Sequence, residues 1–417
     1  MTSPAIVVLA HKRAESLRRL LGSLLRGSYG DRDVSLIISV DHGADPDVES
    51  LARSMEWPFG SREVVLREER LGLRDHVYAC ARLGERVGSL IMLEDDLMVA
   101  PGFYDLACQM VNAYDADDRV AAMALYHHAF NEISKMRFSP LLDGSDGYFL
   151  HVAASWGQCW TAKQWERFSL WSADQTNESV ESKGIPWDMR KWPWSSWKKW
   201  FTAYLVDSGR YVVYPRVSTT TNFMELGENH HETDATYQRE LLVGSREWRL
   251  PSIDASFCRY DPYCEIEPDA LTRLAPDLGT FDLTVDLSGM KPLSEIRTRH
   301  LISLKPCRRP IAGYGRSLRP AEWNIIAGIA GEELSIGNAQ DSLRCQTGPW
   351  MATSTITMAC LASCSDVCFC SASRANPLER CSGCSTTYFA SGENHPYRET
   401  PEQETYDEDP SSIRHPA

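Results

Sequence analysis

Four short apolar runs separated by helical patterns fill the first hundred residues, and this alternation constrains the fold more than anything else in the chain. Ala5 to Ala10, Leu36 to Val40, Glu63 to Leu66 and Ser89 to Leu93 read as buried strands. Between them, Ala14 to Arg26 places Leu17, Leu20, Leu21, Leu24 and Leu25 on one helical face, with Arg18, Arg19 and Arg26 elsewhere. Asp45-Pro46 reads as helix cap and first turn, with Asp47 and Glu49 well placed beside it. Leu73 to Leu83 reads as a third helix. Parallel neighbours need long crossovers, usually helical. The alternation therefore predicts an α/β fold, Rossmann-like, with a mostly parallel central sheet flanked by helices on both faces.

The fourth run ends in three acids, Glu94-Asp95-Asp96. The carboxyl end of a buried strand is where open α/β sheets bind ligands. Adjacent carboxylates repel one another, and a divalent cation or a hydrogen-bonding ligand relieves the repulsion. Mg²⁺ and Mn²⁺ prefer hard oxygen ligands and often bind through one or two carboxylates plus substrate phosphates. The pattern predicts a metal–nucleotide site. A solvated acidic turn is the alternative.

The rest of the chain sets bounds. Its 417 residues allow two or three domains. A net charge of −14 argues against nucleic acid as a partner. No apolar run approaches the roughly 18 residues of a membrane span. Met1-Thr2-Ser3-Pro4 leads straight into the first strand without a secretory pattern. A cytoplasmic location is expected, and peripheral attachment at the inner membrane is compatible with it. Cys80, Cys108, Cys159, Cys258, Cys264 and Cys307 read as reduced small hydrophobes. Cys364-x3-Cys368-x-Cys370 and Cys381-x2-Cys384 faintly resemble a zinc ribbon, but the spacing is irregular and no His lies among them. Nine of the 13 Trp fall between Trp156 and Trp200, so that stretch is core with a wall on which a sugar ring could stack. The expected organisation is a main domain over 1–235, a smaller α+β region over 236–345, and a disordered tail over 346–417, Cys-rich and then acidic.

Several segments together resemble glycosyltransferases of the GT-A fold. These are Ile6-Val7-Val8-Leu9-Ala10-His11-Lys12-Arg13, Ser39-Val40-Asp41-His42-Gly43, Arg70-Leu71-Gly72-Leu73-Arg74 and the triplet with its sequel to Phe103. The triplet segment is similar to that of the Golgi N-acetylglucosaminyltransferase that starts complex N-glycans. It is also similar to family 2-like bacterial transferases of capsule and O-antigen loci. Ser155-Trp156-Gly157-Gln158-Cys159-Trp160 resembles the donor-side loop of the bacterial group, and Gly209 to Asn222 its closing strand and loop. The likeness covers 1–235 well.

The resemblance implies transfer of a sugar from a nucleoside-diphosphate donor to a glycan or lipid-linked glycan acceptor, with Mn²⁺ or Mg²⁺. It implies that Asp96 holds the metal, that Asp95 and Glu94 bond ribose or sugar hydroxyls, and that Asp41 accepts from the base. Arg13, Arg70 and Arg74 are phosphate-side candidates, and Trp156 and Gly157 belong to the donor loop. One departure stands out. Where the Golgi enzyme has Trp-acid-acid-Trp, supplying a general base, this chain has Trp194-Ser195-Ser196-Trp197. Asp188 is the nearest substitute base, with a plain loop or helix-start aspartate as the alternative. His230-His231 is a candidate for a second metal ligand. Two other readings stand beside transfer. A sugar nucleotidyltransferase wants a Gly-rich loop after the first strand, and His11-Lys12-Arg13-Ala14-Glu15 has none. A non-catalytic nucleotide-sugar-binding relative is suggested by the missing base.

Overall fold

The computed structural model describes residues 3–223, 225 and 235–343. The tail of 346–417, its cysteines and the His230-His231 pair lie outside the described residues. The alternation folds as expected: β1 (Ala5–Ala10), α1 (Ala14–Leu25), β2 (Leu36–Val40), α2 (Pro46–Ser54), β3 (Arg62–Leu66), α3 (Gly72–Ala81) and β4 (Ser89–Glu94) follow in order. β1 lies between β2 and β4, parallel to both, with Val8 opposite Ile38 on one side and Leu93 on the other. β3 extends the parallel run beyond β2.

The sheet continues past β4 as a mixed half. Strand Gln158–Thr161 runs antiparallel to both β4 and the strand Val120–Ala124, and strand Tyr211–Pro215 runs parallel to Val120–Ala124. Gly147–Leu150 and then Arg259–Tyr260 complete nine strands. The architecture is thus the mixed α/β class, a large and mostly parallel sheet flanked by helices.

Side-chain alternation explains why the strands read as unbroken apolar runs. Successive residues point to opposite faces, and both faces are covered. Val7, Leu9 and Ile37 pack with Val77, Cys80 and Ala81 of α3. Ile6, Val8 and Ile38 pack with Leu17, Leu20, Leu21 and Leu24 of α1. All six cysteines read as reduced are free thiols, five of them buried. Trp160, Trp165 and Trp197 are core, with Trp160 5.4 Å from Trp165 and 5.8 Å from Phe201. Asp45 does stand at the start of α2, but its side chain makes no capping bond there.

Residues after 236 add the edge strand Arg259–Tyr260 and a four-stranded sheet of their own, ordered Leu283–Asp286, His300–Ser303, Leu334–Asn338 and Pro310–Tyr314. Charges are paired there: the buried Lys305 on Asp286, and the half-buried Lys291 on Asp261. Glu265 accepts from the Leu287 and Ser288 backbone N–H groups, each at 2.8 Å.

Glu322, 6% exposed, shows what burial does to a carboxyl here. Desolvation raises it from 4.5 to about 7. A raised carboxyl keeps a proton in the folded state that the unfolded chain has lost, so stability falls as pH rises through this window. The contribution of Glu322 to stability should therefore fall between pH 5 and pH 8, and Glu322→Gln should remove that share of the pH dependence of the melting temperature. Parallel melting curves for both proteins check it; identical slopes would assign the titration elsewhere.

Candidate functional site

The carboxyl ends of β1, β2 and β4 open into one cleft of about 600 Å³, within the range of small-molecule sites. Its wall takes in residues 9–13 at the end of β1, Asp41 after β2, Glu94–Asp96 at the end of β4, and Arg70, Gly72 and His76 around the start of α3. Trp156 and Ser196–Lys198 close the far side. Parallel strands put every turn of one polarity on one edge of the sheet, and so these distant segments meet.

The triplet is a turn. Glu94 ends β4, Asp95 and Asp96 reverse the chain, and Leu97–Val99 runs back as a short strand paired antiparallel with Thr220–Asn222. The Phe223 N–H donates to the Asp96 carbonyl at 3.1 Å, fixing the turn's backbone. Arg13 bridges the two aspartates: one guanidinium nitrogen donates to Asp95 and the other to Asp96 Oδ2 at 3.1 Å. The Asp96 Oδ1 atom is buried and has no hydrogen-bond partner.

The crowding is visible in the proton affinities. Burial first, opposed by Arg13 and reinforced by Asp96, pushes Asp95 up to about 6. Burial and the two neighbouring aspartates push Glu94 up to about 8. Arg13 is raised because the attraction of the three acids outweighs its own desolvation.

Asp41 is 3% exposed and serves the protein's own backbone. Its Oδ1 accepts from the N–H groups of His42 at 2.9 Å and Leu71 at 3.0 Å, and its Oδ2 accepts from Gly72 at 3.0 Å. Arg70 reaches the same Oδ2 at 3.2 Å and also meets the His11 ring. Asp41 therefore clamps the start of α3 to the end of β2.

Two cleft residues escaped the sequence reading. His76 bonds Ser39 at 2.7 Å, and burial pushes it down to about 4, so it is neutral at physiological pH. Lys198 follows the Trp-Ser-Ser-Trp segment. The signal for His76 was its place on α3 beside Val77 and one turn before Cys80, on the buried side of the helix. No local pattern marks Lys198.

Arg13, Asp41, Arg70, Glu94, Asp95, Asp96 and Trp156 thus come together, while Arg74, Gly157 and Asp188 are not among the lining residues. Arg74 stacks on the Trp194 ring at 4.3 Å and donates to the Trp194 carbonyl at 3.2 Å, fixing that loop against α3. Gly157 has φ +91°, and a Cβ there would stand 2.8 Å from Thr220 Cγ2. Asp188 sits in the short helix Trp187–Arg190 with Lys191 at 3.9 Å.

Among the described residues, no three His, Cys, Asp or Glu side chains converge as a ready-made metal cluster. The free Asp96 Oδ1 nevertheless fits a cation held by one protein carboxylate and completed by a ligand's phosphates, the manner usual for Mg²⁺.

Comparison with known proteins agrees with the motifs. No family model matches the chain. Over 317 residues it is 24% identical to an alpha-1,3-mannosyl-glycoprotein 2-beta-N-acetylglucosaminyltransferase of Arabidopsis thaliana. The chain is similar in sequence to a glycosyltransferase. The match takes in 72% of this chain and 64% of the relative, so it spans less than two thirds of that protein. Solved structures with partial likeness include S. aureus TarS in complex with UDP-GlcNAc, at TM-score 0.33 and 10% identity over 51% of this chain and 58% of that one. GalNAc-T7 with UDP, GalNAc and Mn²⁺ gives 0.36 and 13% over 52% and 43%. A Pyrobaculum calidifontis mannosyltransferase with GDP-Man and Mn²⁺ gives 0.33 and 13% over 51% and 57%. These scores are low, and the architecture rests on the strand order itself.

Proposed function

We propose that this chain transfers a sugar from a nucleoside-diphosphate donor to an acceptor hydroxyl, assisted by Mn²⁺ or Mg²⁺. The single observation that carries the reading is the cleft at the strand ends, in which Asp96 presents a buried, unbonded carboxylate oxygen beside the Arg13–Asp95 pair. Breaking the bond between sugar and diphosphate develops negative charge on the leaving phosphate. A cation on Asp96 would supply electrostatic stabilisation of that charge.

The chain's own residues do the rest. Arg13 ties Asp95 to Asp96 and offsets part of their repulsion. Glu94 and Asp95 stand beside Asp96 in the cleft as partners for ribose or sugar hydroxyls. Asp41 fixes the floor of the cleft, and Trp156 offers an apolar wall for a sugar or base. The proposal extends to an acceptor that is a glycan or lipid-linked glycan of a surface polysaccharide, assembled in the cytoplasm. This part is supported by the motif likeness to capsule and O-antigen transferases. Among the described residues, no helix is long and apolar enough to cross a membrane.

A thermal-shift screen of nucleotide sugars with and without Mn²⁺ tests the reading, because a ligand of the folded state alone raises the melting temperature. One nucleotide sugar should raise it by several degrees, and more so with Mn²⁺. No shift with any donor would refute the proposal. A shift without turnover of the donor would favour a binding protein over an enzyme.

A further inference from the structure

The segment in which the resemblance anticipates a carboxylate base delivers a lysine to the cleft. Lys198 lines the wall beside Ser196 and Trp197. Its Nζ stands 4.9 Å from the Trp156 ring centre, 5.3 Å from that of Trp192, and 3.5 Å from Glu132 Oε1. The two paired side chains are only 17% and 13% exposed. Burial acts to raise the Glu132 carboxyl, yet Lys198 and His128 more than offset it, and it lies below its ordinary value. The pair is therefore ionic, and two indole faces and one carboxylate fix the ammonium at the cleft wall.

Charge balance gives this placement a purpose. The cleft carries Glu94, Asp95, Asp96 and Asp41. Arg13 is engaged with Asp95 and Asp96, Arg70 with Asp41 and His11, and Lys12 lines the cleft next to Arg13, so Lys198 is the cation that the far side contributes. A diphosphate entering beside the triplet meets like charge unless further cations face it. Lys198 lies close enough for its charge to act on Glu94. A lysine is a compact point charge suited to phosphate oxygens.

We propose that Lys198 binds the diphosphate of the donor, and that Glu132 is the positioning residue that holds it there. The proposal rests on the nucleotide-sugar reading of the cleft. Its consequence is that residues 194–198 serve the leaving group here, where the resemblance assigns that segment to the acceptor's base. As the sugar–phosphate bond breaks, its electron pair stays on the diphosphate oxygen, and the Lys198 ammonium faces that charge without giving up a proton.

Binding of UDP and of GDP, each measured by calorimetry with Mn²⁺ and again with EDTA, tests this. Lys198→Met should weaken the nucleotide bound by wild type about 10–100-fold, as the loss of a charge-assisted hydrogen bond implies. The dependence of affinity on salt should become shallower, a readout that packing damage does not move. Lys198→Met strands Glu132 as a buried lone charge, so the double variant Glu132→Leu with Lys198→Met removes both charges and guards against misfolding. That double variant should melt near wild type and still bind poorly. Glu132→Gln, which keeps the lysine but loosens it, should weaken nucleotide binding several-fold and leave the salt dependence intact. Wild-type affinity and salt dependence in the double variant would overturn the role of Lys198 while leaving the nucleotide reading in place. Wild type binding neither nucleotide under either condition would overturn both.

Discussion

Asp96→Asn is expected to lower sugar transfer about 10²–10³-fold in Mn²⁺, the scale on which electrostatic stabilisation of a leaving group acts, while the melting temperature stays within a few degrees. The two halves of this expectation come from different atoms. Oδ2 receives Arg13 at 3.1 Å, and the amide oxygen of Asn can replace it. Oδ1 is buried without a partner, so no protein bond is lost there. Removing a negative charge from the crowded triplet also relieves repulsion, which offsets what Arg13 loses. What Asn cannot supply is an anionic oxygen for a cation. Titrating Mn²⁺ into the variant in the presence of UDP, with electron paramagnetic resonance as readout, separates this from general damage: the bound Mn²⁺ signal should be lost. If the variant keeps wild-type kcat/KM and binds Mn²⁺ as before, Asp96 is not the ligand.

Gly157→Val should destabilise the fold by about 3 kcal/mol or more, combining positive-φ strain with overpacking. Gly157 has φ +91°, a region that a β-branched residue avoids. Its missing Cβ is also what lets Thr220 approach, with Cγ2 and Oγ1 at 2.8 and 2.9 Å from where that atom would stand. Thr220 cannot retreat freely, because its hydroxyl donates to the Trp156 carbonyl at 2.6 Å. The clash therefore moves the Trp156 wall of the cleft along with the strand Thr220–Asn222 behind the triplet. Denaturant unfolding of Gly157→Val, alone and with Thr220→Ala, measures the coupling. The double variant should recover part of the loss, because trimming Thr220 clears the clash but not the backbone strain. A single variant as stable as wild type would show that the loop shifts at little cost.

The sequence alone determined the parallel half of the sheet. The runs from Ala5 and Leu36 are buried on both faces, so each position had to be apolar whichever way it pointed, and the pattern was legible without knowing any neighbour. The same logic located the triplet, since a charge directly after such a run must leave the core at the strand's end. The mixed half was less legible. Gln158–Thr161 joins the sheet between β4 and Val120–Ala124 by contacts far apart in the chain, which local periodicity does not encode.

The site divides in the same way. Acids and arginines near strand ends were readable as candidates, but their partners were not. Asp41 turned out to be bonded by the backbone of Leu71 and Gly72, and Arg74 to be stacked on Trp194, because α3 and residue 194 pack where only the fold can bring them. Asp188 could be nominated only by closeness in sequence to the Trp-Ser-Ser-Trp segment, and the cleft wall is built from Ser196 to Lys198. Lys198 gains its place from Glu132, 66 residues earlier, and from two indole rings. The sequence thus determined which strands carry charge to the sheet's edge, because burial on both faces is a local constraint. Tertiary structure alone decided which of those charges already have partners, because pairing depends on distances between segments that the chain order does not contain.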